Sequence, residues 1–344
     1  MRVQQAKAAA RRWVLAAARD VPGYAGAFYH GSTNWVAEDA ELAATSDLDV
    51  MVVLDAPANK PGKQIWENVV LDVTYISRDE LGSAEQILGL SHLAGSFRAP
   101  GIIDDPTGRL TALQQAVAAQ YAQRRWVRAR CEYAAGKLSQ NLHSIDPAAP
   151  FHDQVMPWLF ATGLTTHMLL VAGLRNPTVR RRYVAARELL MDYGQSVLYT
   201  PLLELLGCAG MSRQQVQRQL DTLGEAFDVA TTAISSPFFF ASDISALARP
   251  IAIDGSRELI ERGLHREAIF WIVATYSRCM IVFEHDAPPE TGERFRPGYH
   301  ELLGELGLAS GADIMQRSEQ LVQFLPRVWE AAEAIMAANG EIHE

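Results

Sequence analysis

The chain holds 344 residues, of which 49% are hydrophobic and 21% charged, with a formal net charge of −9 and three cysteines. That length suits two domains with a core each, and the composition excludes collagen-like, disulfide-dense and mostly disordered chains. The acidic balance argues against a long nucleic acid as partner and for a small molecule.

Residues 4–20 carry an amphipathic pattern stopped by Pro22 and Gly23, which predicts a helix. Lys7, Arg11, Arg12 and Arg19 interrupt its apolar residues, so no secretory leader is expected there. Residues 25–30 form a short apolar and aromatic run that ends in Gly31-Ser32. Two segments rich in β-branched residues follow, 47–54 (DLDVMVVL) and 69–76 (VVLDVTYI), and both predict strands. The Pro- and Gly-containing run 56–62 between them predicts a turn.

From Leu110 onward the apolar residues recur at helical spacing. Helices are expected over 110–142, 154–173, 178–193, 198–206, 212–235, 256–263, 267–284, 299–306 and 311–339, with Ser212 and Ser256 as N-caps. The longest apolar stretch, 268–283, is broken by Ser277 and Arg278, so a buried helix is expected and not a membrane span. Cys131, Cys208 and Cys279 lack zinc-ligand or C-x-x-C spacing and read as reduced packing residues, consistent with a cytoplasmic location. The expected fold class is α+β: a small mixed-sheet module flanked by helices over 1–110, then an all-α bundle over 111–344.

The first module carries the chemistry. His30-Gly31-Ser32 forms a turn after an apolar strand and ahead of an expected helix; Asp47-Leu48-Asp49-Val50 opens a strand; Leu71-Asp72-Val73 places one acid inside an otherwise apolar strand. A period of two puts Asp47 and Asp49 on one face, with Leu48 and Val50 on the other. Two like charges so close repel unless a cation compensates, and carboxylate oxygens are what Mg²⁺ prefers. Asp72 on a neighbouring strand would complete a two-metal site. Gly31 and Ser32 offer backbone N–H groups and a hydroxyl suited to phosphate.

In this order the three motifs resemble the signature of the nucleotidyltransferase superfamily of the DNA polymerase β type. The strand text LDVTYIS and the helical region after it look most like the aminoglycoside adenylyltransferases and related enzymes with a helical C-terminal domain. The motif likeness covers roughly residues 25–77. The resemblance implies that Asp47 and Asp49 ligate Mg²⁺, that Gly31 and Ser32 hold the triphosphate of ATP or another nucleoside triphosphate, and that Asp72 is a third metal ligand or the general base. It further implies transfer of a nucleoside monophosphate to a hydroxyl of a small-molecule acceptor bound by the helical domain, with pyrophosphate released. Two departures stand out: the spacer 33–46 is longer than usual and carries Glu38, Asp39 and Glu41, and a histidine precedes Gly31.

Other residues have competing readings. Arg98 suits a triphosphate contact or an ordinary ion pair, and Lys137 suits a cleft or a solvated surface. The basic runs 124–130 and 180–182 would suit a polyanion such as tRNA, but read better as solvated helix faces without aromatic interleaving. Arg278 and His285 resemble a ribonuclease motif of small helical domains and equally suit a helix-end cap. Asp153, Glu188, Asp192 and Glu225 are candidates for recognising a cationic acceptor. Beside the enzyme reading stands that of a non-catalytic nucleotide-binding or regulatory protein of the same fold.

Overall fold

A computed structural model describes residues 1–344, as two compact units. The first comprises Met1–Tyr133 with Leu174–Thr178 and Asn339–Glu344; the second comprises Ala134–Gly173 and Val179–Ala338.

Helix α1 (Val3–Ala16) turns one stripe inward, with Val3, Ala6, Ala10, Trp13 and Val14 buried at spacings of three and four. Strands β1 (Tyr24–Tyr29), β2 (Leu48–Leu54), β3 (Gly62–Trp66), β4 (Val69–Ser77) and, later, β5 (Ile102–Asp104) form one mixed sheet in the order β3-β4-β2-β1-β5. Only β2 and β4 run parallel. Alternation divides their side chains between two cores. Leu48, Val50 and Val52 of β2, with Leu71 and Val73 of β4, pack with α1. Val53 of β2 and Phe28 of β1 pack on the opposite face. The intervening helices α2 (Arg78–Leu81), α3 (Ala84–Gly89) and α4 (Ala94–Phe97) are short. The first two open on the reciprocal boxes Ser77/Glu80 and Ser83/Gln86. From them Leu81, Ile87, Leu88 and Phe97 cover the second face.

The expected strands at 47–54 and 69–76 stand within a residue of β2 and β4. Strand β3 was not expected. It pairs with β4 as a hairpin whose two-residue turn, Glu67-Asn68, has φ of 48° and 63°, the positive values of a type I′ connection. Expectation also placed a domain boundary at 110, whereas the first unit continues to Tyr133. Helix α5 (Arg109–Ala118) is the reason, since its Leu110 and Val117 belong to the apolar core on the second face of the sheet. The single helix expected over 110–142 is therefore two, α5 and α6 (Arg124–His143), and the division between units falls inside α6.

The second unit is helical. It contains α7 (Phe151–Ala172), α8 (Arg182–Asp192), α9 (Tyr199–Leu206), α10 (Arg213–Ala233), α11 (Gly255–Glu261), α12 (His265–Asp286), α13 (Pro289–Glu305) and α14 (Gly311–Ala338). Helix α12 is buried on nearly every side, against α7, α10, α11 and α13, which explains an apolar pattern too broad for a surface helix. Ser212 caps α10 as expected, but Ser256 lies inside a helical turn and donates back to the Ala252 carbonyl at 2.7 Å. Helix α13 begins ten residues before the expected 299, at Pro289, a residue well placed in a first helical turn. One helix, α7, has the length and apolarity a membrane span needs, and 72% of that window is buried inside the fold. All three cysteines are free and buried.

Candidate active site

The acids of the first unit come together through strand register. In the parallel pair of β2 and β4, Asp49 stands opposite Asp72; in the antiparallel pair of β3 and β4, Asp72 stands opposite Lys63. Residues directly opposite share a face, so Lys63, Asp72 and Asp49 form a row across three strands. Asp47 lies just before β2, in phase with Asp49 and out of phase with buried Leu48 and Val50. On the far side of Asp49 the His30 amide donates to the Asp49 carbonyl at 3.0 Å. This bond brings the Gly31 turn over the Asp49 side chain.

Gly31 is obligatory there for two reasons. Its φ is +64°, where L side chains are strained. A Cβ at this position would also lie 1.9 Å from Asp49 Oδ2 and 2.7 Å from Cγ. The carboxyl therefore fills the space a side chain would take. Gly31–Asn34 is one 3₁₀ turn and no α-helix follows. The helix expected after Gly31-Ser32 is absent because the segment runs on into an irregular loop up to β2. Phosphate contacts from this turn would thus rest on local N–H groups and the exposed Ser32 hydroxyl, without a helix dipole.

Two lysines complete the site, and neither was singled out in the sequence. Lys63 Nζ lies 2.6 Å from Asp72 Oδ2 and 3.0 Å from Asp47 Oδ2, and only 5% of its side chain is exposed. Lys60 Nζ lies 2.8 Å from Asp72 Oδ1. Burial pushes the Asp49 carboxyl well above the usual carboxylate range, aided by the charges of Asp47 and Asp72 and opposed by Lys63 and Lys60. Three carboxylates thus face two ammonium groups. No three acidic, histidine or cysteine side chains are arranged around one metal position. The missed signal was the hairpin: with its turn recognised, antiparallel register alone puts Lys63 beside Asp72.

His30 donates or accepts at Nδ1 with Ser96 Oγ, 2.7 Å away. Burial pulls its pKa down to about 4, which leaves a neutral ring near neutrality. Arg98 reaches none of the carboxylates. Its guanidinium stacks 3.9 Å from the centre of the Trp35 ring and donates to the Asn34 carbonyl at 3.1 Å, bracing the end of the Gly31–Asn34 turn. Asn34 Nδ2 in turn donates to the Tyr29 carbonyl at 2.7 Å.

Most of the remaining candidates have partners of their own. Arg278 is 5% exposed, pairs with Asp243 at 3.1 Å and lies over the rings of Trp271 and Phe240. His285 contacts Phe238. Arg278 is therefore tied up in an internal ion pair, which offers little to an RNA phosphate. The basic runs are not continuous solvated faces. Arg130 is buried, donates to the Leu88 and Tyr121 carbonyls and stacks on Tyr121. Arg182 is 1% exposed and lies 3.7 Å from the Phe270 ring centre, in space left by Gly163. Their neighbours Arg125 and Arg128 reach Gln120 and Glu132. Lys137 is exposed and donates to Gln140. Glu188, Asp192 and Glu225 are exposed. Asp153 is partly buried beside His152, next to a cleft of about 490 Å³ in which His152 and Glu284 approach to 2.8 Å.

Comparison with known protein families and with curated protein sequences finds no match to this chain.

Proposed function

We propose that the protein is a Mg²⁺-dependent nucleotidyltransferase of the DNA polymerase β type. It would move a nucleoside monophosphate, AMP from ATP in the first instance, onto a hydroxyl of a small-molecule acceptor in the cytoplasm. The observation that carries this reading is the row of Asp49 and Asp72 in direct register, with Asp47 in phase and Gly31 closed over the Asp49 carboxyl. An ordinary strand end does not gather three acids and then press one of them against a glycine held at positive φ.

The residues fit a divalent cation in their donor chemistry. Carboxylate oxygens are hard ligands, Asp49 sits in a cradle that a Cβ would fill, and the lysines already provide cationic charge at the same oxygens. Asp47 and Asp49 would hold the ion, and Asp72 would join them as a third ligand only once Lys60 or Lys63 leaves its oxygens. Bound magnesium supplies Lewis-acid stabilisation of the triphosphate and makes the attacking hydroxyl more acidic. The protein's own part is positioning, the main source of acceleration in phosphoryl transfer. Gly31 and Ser32 bind the triphosphate, and Arg98 braces that turn through Trp35. Burial and the charges of Asp47 and Asp72 bias the Asp49 carboxyl toward its protonated form in the metal-free protein. Both Asp72 oxygens are engaged by ammonium groups, so a role as proton acceptor requires Lys60 or Lys63 to let go. An acidic chain favours an amine-bearing acceptor, such as an aminoglycoside, through electrostatic steering.

The lysine contacts also favour a second reading, a nucleotide-binding regulatory protein whose carboxylates are neutralised internally. Incubation with α-labelled triphosphates, Mg²⁺ and a panel of hydroxylated amines separates the two. Transfer of label supports the enzyme; nucleotide binding without turnover supports the regulator.

A further inference from the structure

We propose that Lys63 is a positioning residue that acts as a displaceable internal counter-ion, holding Asp47 and Asp72 together until a divalent cation takes its place. The inference rests on the reading of Asp47, Asp49 and Asp72 as the cation site.

The strand that carries Lys63 contributes one hydrophobic side chain, Trp66, to the core beside α1. Strand β3 is a short edge strand of residues GKQIW, in which Ile65 is exposed, joined to β4 by the Glu67-Asn68 turn. Its register sets Lys63 opposite Asp72. A lysine whose side chain is only 5% exposed is costly to enclose unless carboxylates compensate its charge, and here two do, at 2.6 and 3.0 Å. One of them, Asp47, lies outside the strands, so the ammonium ties a loop acid to a strand acid.

A cation coordinated by Asp47 would lie close to the same oxygen that now meets Lys63. Two cations cannot both sit there without strong repulsion. Lysine can yield, because its charge rides on a flexible four-carbon stem. Lys60 is the weaker partner: it touches Asp72 alone and its side chain is 30% exposed. Once released, the Lys63 ammonium becomes a charged donor for the phosphates of an incoming triphosphate.

The test is a titration with Mn²⁺ alone, without nucleotide, followed by the electron paramagnetic resonance of the free ion. Wild type should bind Mn²⁺ and Asp49→Asn should not. Lys63→Met should bind about tenfold more tightly or better, Lys63→Arg within about twofold of wild type, and Lys60→Met with an intermediate gain, as expected for coupling between two ligands of one site. Lys63→Gln should show the same gain as Lys63→Met, and replaces it if the methionine variant does not fold. Unchanged or weaker Mn²⁺ binding in the neutral Lys63 variants, with wild-type binding intact and lost in Asp49→Asn, overturns the counter-ion role and leaves the cation site standing. Absence of Mn²⁺ binding in wild type and neutral variants alike overturns both.

Discussion

Replacing Gly31 by alanine probes the closest approach in the site, and its cost separates into two parts. The first is conformational: a non-glycine residue at φ +64° costs about 1–2 kcal/mol. The second is steric. Asp49 Oδ2 and Cγ, at 1.9 and 2.7 Å from the new Cβ, must move, and forcing extra volume into a packed position costs about 1–3 kcal/mol more. Gly31→Ala should therefore lower stability by about 2–5 kcal/mol in urea unfolding. In an Asp49→Ala background only Asp49 Cβ remains near, at 3.3 Å, so the same substitution should cost about 1–2 kcal/mol. Gly108 supplies the control for the first part, since it has φ +74° and nothing within 4 Å of a Cβ; Gly108→Ala should cost the same, about 1–2 kcal/mol. An equal loss from Gly31→Ala in both backgrounds would refute the placement of the Asp49 carboxyl over the turn.

Asp49→Asn should raise the Tm of the metal-free protein at neutral pH. A carboxyl whose folded pKa is raised binds more protons in the native state, so it costs stability as pH rises through that window. The gain should fade as the pH falls below the unfolded pKa of about 3.9, where the carboxyl becomes protonated in folded and unfolded chains alike; a gain independent of pH would contradict this. Arg98→Lys keeps the charge but loses the flat stack on Trp35. It should therefore weaken nucleotide binding nearly as much as Arg98→Ala, with about 1 kcal/mol lost in a thermal melt; full rescue by lysine would instead mark a point-charge contact to phosphate. In the second unit, Arg182→Met should be tolerated far better than Arg182→Ala. Methionine refills the space beside Phe270 and Gly163 without a buried charge, whereas alanine leaves a cavity worth about 2–4 kcal/mol.

Much of the site was legible because its signals are local. The alternation of Asp47, Leu48, Asp49 and Val50 stated which side chains share a face, and the β-branched text of 69–76 announced the strand that carries Asp72. Register between strands is set by pairing and turn geometry, so Lys63 was invisible until Glu67-Asn68 is seen to turn back on itself with two positive φ values. An Asn-Gly pair would have signalled the hairpin; Glu-Asn does not. The helix expected after Gly31-Ser32 failed for the opposite reason, since a glycine turn is compatible with several continuations and only the spacer decides among them. The buried arginines 130 and 182 lay in basic runs that look solvated in sequence. Their burial depends on tertiary partners, a carbonyl pair and an aromatic ring, that no local pattern reveals. The boundary at 110 missed Tyr133 because α5 looks like the first helix of a bundle, although its apolar face completes the core of the sheet.

Nucleotidyl transfer is decided by single-turnover incubation with Mg²⁺ and ATP labelled at either the α or the γ phosphorus, in wild type and Asp49→Asn, with hydroxyl- and amine-bearing acceptors. The α label should pass to an acceptor while the γ label leaves as pyrophosphate, and Asp49→Asn should abolish both without unfolding the chain. Equal turnover in Asp49→Asn, or release of the γ label as orthophosphate with the α label left on ADP, would contradict it.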